Sequence, residues 1–88
     1  MKTRILKLTT GDEIVVKCEL NEDQYNLKKP MLVTLSNFNG QLNVTLSNWI
    51  YGSQITEFSI KKDHVLLDLD PNDVIEKQYL SVISGIKL

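Results

Sequence analysis

Cysteine, histidine, proline and glycine are all scarce in this sequence, and each scarcity removes a class of protein. Cys18 is the only cysteine, which excludes an internal disulfide and a multi-cysteine metal site. Four glycines are too few, and too scattered, for a phosphate-cradling loop or a dinucleotide fingerprint. Two prolines and a hydrophobic fraction of 42% are those of a folded chain rather than a disordered one. No apolar run approaches the length of a membrane span, and "MKTRILKLTTGDE" turns to charge too early for a signal peptide. A cytoplasmic protein without membrane contact is expected. A net charge of -1 provides no strong overall field for nucleic acid.

Catalytic equipment is equally thin. His64 is the single histidine, and no serine or cysteine nucleophile accompanies it in sequence, so a strand-entry histidine is the simpler reading. Cys18 alternates with Val16 and Leu20 and reads as a small buried hydrophobe. The carboxylate pairs Asp12-Glu13, Glu22-Asp23 and Asp68-Asp70 sit at turns or before a helix start, where solvated charge is their ordinary role. The chain reads as a non-enzyme with no metal and no cofactor.

What is present is alternation with period two. In "EIVVKCEL", Ile14, Val16, Cys18 and Leu20 point one way and Glu13, Val15, Lys17 and Glu19 the other, as in a half-buried strand. "RILKLT" precedes it across a turn at Gly11, making a hairpin. Met31, Val33 and Leu35 alternate next, with Pro30 marking an edge or bend. "NFNGQ" is a turn into Leu42, Val44 and Leu46. Phe58, Ile60, Val65, Leu67 and Leu69 continue the pattern.

The period changes once. Asp70 as cap, Pro71 in the first turn and Asp73 near the positive end predict a short helix over about 71 to 82, with Ile75, Tyr79 and Val82 on one face. Ser84-Gly85 ends it, and "IKL" resumes an extended run. The apolar tail "YLSVISGIKL" needs a cover, so it either closes the chain's own sheet or meets a second copy. Five or six short strands with one small helix predict a mainly β fold, a small strongly bent antiparallel barrel forming a single domain over 1–88.

Two aromatic groups are candidates for contact. Trp49 and Tyr51 flank Ile50 on one side of an extended segment; they either stack bases, anchor a partner or, more simply, roof one end of the barrel. Tyr25 lies in "NEDQYNLKKP", which reads as a polar turn. Aromatic, amide and cation in one loop is a combination that single-stranded RNA recognition uses, and an Asn-containing turn with an exposed ring is the alternative.

"LTTGDEIVVKCEL", an acidic turn ending in "YNL", and the tail "VISGIKL" together resemble the Sm-like family of small ring-forming RNA-binding barrels. Glu22, Asn26 and Leu27 match its first motif, and Ile83 and Gly85 its second, with Ser84 where the family has arginine. Over nearly the whole chain, "LTTGDEI", "LKKPMLV", a Trp-containing strand, "FSIKKDHV", a helix with "KQY" and a terminal "SGI" resemble the short Sm-like proteins of marine cyanophages. The resemblance implies a bent barrel in a closed homo-oligomeric ring, pentamer to heptamer, in the cytoplasm of the host cell. It implies single-stranded RNA as a partner, met by Tyr25, Asn26, Lys28, Lys29, Gly85 and Lys87. It also implies a subunit interface at Ile83, Ile86 and Leu88. A phage or host protein partner on the same barrel, without RNA, is the alternative.

Overall fold

The β1–β2 hairpin forms where the sequence asks for it. Strand β1 (Lys2–Leu8) and strand β2 (Glu13–Asn21) pair from Lys2↔Cys18 to Lys7↔Glu13. Gly11, at φ +96, takes the left-handed conformation that the connecting turn needs, and its N–H donates to the Leu8 carbonyl at 2.9 Å. The structure, a computed structural model, describes residues 1–85.

Strand β3 (Gln24–Phe38) is long and serves two sets of neighbours. Its first half, to Lys28, lies between β2 and β5 (Glu57–Lys61); its second half, from Met31, pairs with β4 (Gln41–Asn48). The division falls at Lys29-Pro30, where Lys29 has φ +52 and the register against β2 shifts between Val15 and Lys17. Pro30 donates no hydrogen bond, so the bend sits where a ladder loses least. A 3₁₀ turn (Lys62–His64) carries the chain from β5 into β6 (Val65–Leu69), which pairs with β1. Six antiparallel strands thus form one sheet in the order β4-β3-β2-β1-β6, with β5 attached to β3. Among the described residues β5 and β6 are linked by the 3₁₀ turn and not by a ladder, so the hydrogen-bonded sheet does not close.

Each face of β2 is buried. Ile14, Val16 and Cys18 join Leu6, Leu8, Tyr25 and Leu27 in the main core, and Phe58, Ile60 and Val65 from β5 and β6 pack against it. Val15 faces the other way, into a second cluster with Met31 and the helix residues Ile75 and Tyr79. Expected alternation fails at its ends: Leu20, Leu35, Leu42, Leu67 and Leu69 are exposed. For β6 the cause is a register shift between Lys7 and Leu8. Val65 sits opposite Leu8 and packs on the core, but beyond the bulge Asp68 sits opposite buried Leu6, which turns Leu67 and Leu69 away.

Helix α1 (Asp73–Ile83) follows. Its cap is Asn72, not Asp70: the Asn72 side-chain oxygen accepts from the Ile75 N–H at 2.8 Å, while Asp70 pairs with Arg4. Ile75 and Tyr79 face the second cluster with Ile83, at spacings of four, and Val82 is exposed instead. Gly85, at φ +69, follows the Ser84 cap and stops the helix. Val82 and Ile83 are therefore helical, and the strands beside β1 are β2 and β6. Ile86, Lys87 and Leu88 lie outside the described residues.

Candidate functional site

The loop expected around Tyr25 is a strand. The turn is confined to Glu22 and Asp23, and pairing resumes at once with Asn21↔Gln24 and Leu20↔Tyr25. Glu22 takes φ +53 without being glycine, so the turn lacks its usual punctuation. Tyr25 consequently points into the main core, 5% exposed, and is corrected from an exposed ring to a core residue.

Its hydroxyl remains polar and finds a partner at the rim of that core. Tyr25 donates to Asp68 Oδ2 at 3.0 Å, and Arg4 Nε donates to Asp68 Oδ1 at 2.6 Å. A second Arg4 nitrogen donates to the Asp68 carbonyl at 3.1 Å, and a third reaches Asp70. The bulge that turns Asp68 inward thus supplies the acceptor for two elements at once. Desolvation, with the Asp68 hydrogen bond second, pushes the Tyr25 hydroxyl up to about 12. The hydrogen bond from Arg4 to Asp68 holds the guanidinium charged beyond its ordinary range. Desolvation raises the Cys18 thiol to about 11, which leaves a neutral buried thiol and no nucleophile.

The other candidates scatter from Tyr25. Asn26 faces outward, where its side-chain oxygen accepts from Ser59 Oγ at 2.6 Å. Lys28 lies on the same face, 3.9 Å from Glu57. Lys29, at the bend, donates to the Ile83 carbonyl at 3.3 Å and so closes the end of α1. Gly85 is exposed just past that end, and Ile83 packs against the second cluster rather than lining a strand edge. Trp49 and Tyr51 also part company. Trp49 packs on the core, its ring 5.7 Å from Phe58 and its Nε1 donating to Asp12 at 3.0 Å, whereas Tyr51 is exposed. His64 is exposed in the 3₁₀ turn, its carbonyl accepting from the Thr9 N–H.

What the outer face of β3 and β5 does assemble is a polar strip. Gln24 lies opposite Lys61, Asn26 opposite Ser59 and Lys28 opposite Glu57; across β2, Lys17 lies opposite Lys28 and Glu19 opposite Asn26. Amides, a hydroxyl and three lysines share one surface with two glutamates among them.

Two features have no counterpart in the pattern reading. Tyr79, fully buried, accepts from the Lys17 N–H at 3.1 Å and donates to the Lys29 carbonyl at 2.7 Å, with the Lys28 carbonyl at 3.3 Å. One hydroxyl therefore satisfies backbone groups that the β2–β3 bulge strands, and burial raises it to about 12. The second feature is an absence of charge. From Pro30 to Thr56 there is no charged residue, against 24% for the whole chain, and a count along the sequence would have found it.

Compared with protein-family models and with curated proteins, the chain matches none. No helix among the described residues is long and apolar enough to cross a membrane.

Proposed function

We propose that this chain is the subunit of an Sm-like homo-oligomeric ring that handles single-stranded RNA, assembling by strand pairing between neighbours. The observation that carries it is the sheet order: among the described residues β4 and β6 stand at opposite ends and β5 flanks β3, each with one edge unpaired. A sheet with unlike open edges on its two sides is suited to head-to-tail pairing, and such contacts close into a ring when the rotation per subunit allows. Apolar side chains also stand beside both edges. The β4 edge carries no charge, and beside β6 Leu66, Leu67 and Leu69 are exposed.

RNA would meet the outer strip of β3 and β5. Lys28, Lys61 and Lys17 would face phosphates, and Asn26 and Gln24 would offer amide edges to bases. Tyr25 has no stacking role in this reading, because its ring is in the core. Repetition around a ring lets weak strips act together. A second reading, an assembly that binds protein and not RNA, is favoured by the glutamates in the strip and the burial of Tyr25.

Native mass spectrometry of the protein with and without short U-rich and A-rich RNA tests both. A closed oligomer that takes up RNA in a fixed ratio, and loses it in Lys28→Glu/Lys61→Glu, supports the first reading. A closed oligomer that ignores RNA leaves the second. A monomer at all concentrations overturns the ring.

A further inference from the structure

The outer half of the β3–β4 hairpin stands clear of the body. Every residue from Thr34 to Gln41, and Leu42 and Asn43 after it, is exposed on both faces, and the molecule is elongated to 43 × 27 × 27 Å. Pairing of Leu35↔Val44 and Asn37↔Leu42 places Leu35, Leu42 and Val44 on one face, in line with Val33 and Leu46. At the base of the arm, Val33, Val44 and Leu46 pack on the second cluster under α1. Beyond the helix the same stripe runs on uncovered, with Leu35 68% and Leu42 72% exposed. A cleft of about 430 Å³ lies at the foot of the stripe, where Val33, Leu35, Val44 and Ile75 meet Lys7, Asp12 and Glu13, so charge ends at the base of the arm and the stripe beyond it has none.

We propose that this stripe is a pairing surface for a second copy of the same chain, distinct from the strand edges that would build the ring. Charge selects the occupant. An arm left in water is ordinarily protected by charged residues, lysine above all, and here none occurs from Pro30 to Thr56. A charged partner would lose hydration on the outer arm, around Leu35 and Leu42, and gain no ion pair there. An uncharged apolar stripe matches itself, and a patch that matches itself is the requirement for an isologous, two-fold contact. Two copies, or two rings, then pair through Leu35 and Leu42.

The test is the subunit count by native mass spectrometry and light scattering, for the wild-type protein, Leu35→Asp/Leu42→Asp and Leu35→Thr/Leu42→Thr. Threonine keeps strand propensity, and circular dichroism with emission from the single tryptophan confirms folding. The expected wild-type count is even, and both double variants halve it. For the wild type, affinity between the halves changes less than about twofold from roughly 50 to 500 mM NaCl, because no charges meet. An odd wild-type count above one, or an unchanged oligomer mass in folded variants, overturns the pairing and leaves the ring standing; a monomer overturns both. A wild-type dimer that becomes monomeric in the variants supports the pairing and overturns the ring.

Discussion

The two halves of β3 are one strand with opposite fates. From Gln24 to Lys28 it has neighbours on both edges, and Tyr25 and Leu27 lie in the main core. From Thr34 to Phe38 it has β4 on one edge and water on both faces. Alternation is the same in both, so hydrophobic pattern does not decide burial; neighbours do. The first half is covered because β5 returns to it through an eight-residue excursion after β4, and the second is bare because, among the described residues, nothing returns to it. An apolar residue in the first half therefore stabilises the fold, while one in the second is available to a partner.

The sharpest way to break this contrast is to shorten the same residue in each half. Leu27→Ala, in the core, should cost about 2 to 5 kcal/mol in urea unfolding, whereas Leu35→Ala should change monomer stability by less than about 0.5 kcal/mol. Equal losses would mean that the arm is covered within one chain. Next in size is the bend between the halves. Tyr79→Phe leaves the Lys17 N–H and the Lys29 carbonyl without their partner, an expected loss of about 1 to 3 kcal/mol with the fold retained.

A separate effect is in alkali. Cys18, Tyr25 and Tyr79 hold their protons more tightly folded than unfolded, with values near 11, 12 and 12 against 9.0, 10.0 and 10.0. The unfolded chain loses these protons first, so stability should be flat with respect to these groups below about pH 9 and fall from there to about pH 12. Tyr25→Phe should make the fall between pH 10 and 12 shallower, measured by urea midpoints across the range.

Much of this was legible in the residues, and the failures have physical causes. The β1–β2 hairpin follows from period two with a glycine at the turn, and the Asn39-Gly40 turn, both residues at positive φ, is as readable. The helix is announced by its acidic start, but Asp70 and Asn72 are both good acceptors; in the fold Asn72 takes the cap and Asp70 pairs with Arg4, a contact far apart in sequence. Tyr25 was misplaced because Glu22 turns the chain without a glycine. Leu67 and Leu69 were expected inside because the extra residue that β6 carries at Leu66, opposite the Lys7–Leu8 step of β1, has no punctuation in the sequence. The polar strip needs β5 beside β3, a pairing between residues far apart in the chain, which no local pattern contains.

Hydrogen exchange at protein concentrations on either side of assembly tests the central claim that the open edges of this sheet are completed by other copies of the chain. The account predicts that amides of Gln41–Asn48 and Val65–Leu69 directed away from β3 and β1 gain protection as the oligomer forms, while those of the β1–β2 ladder stay as protected as before. Rapid exchange at both edges in a fully assembled protein would contradict it.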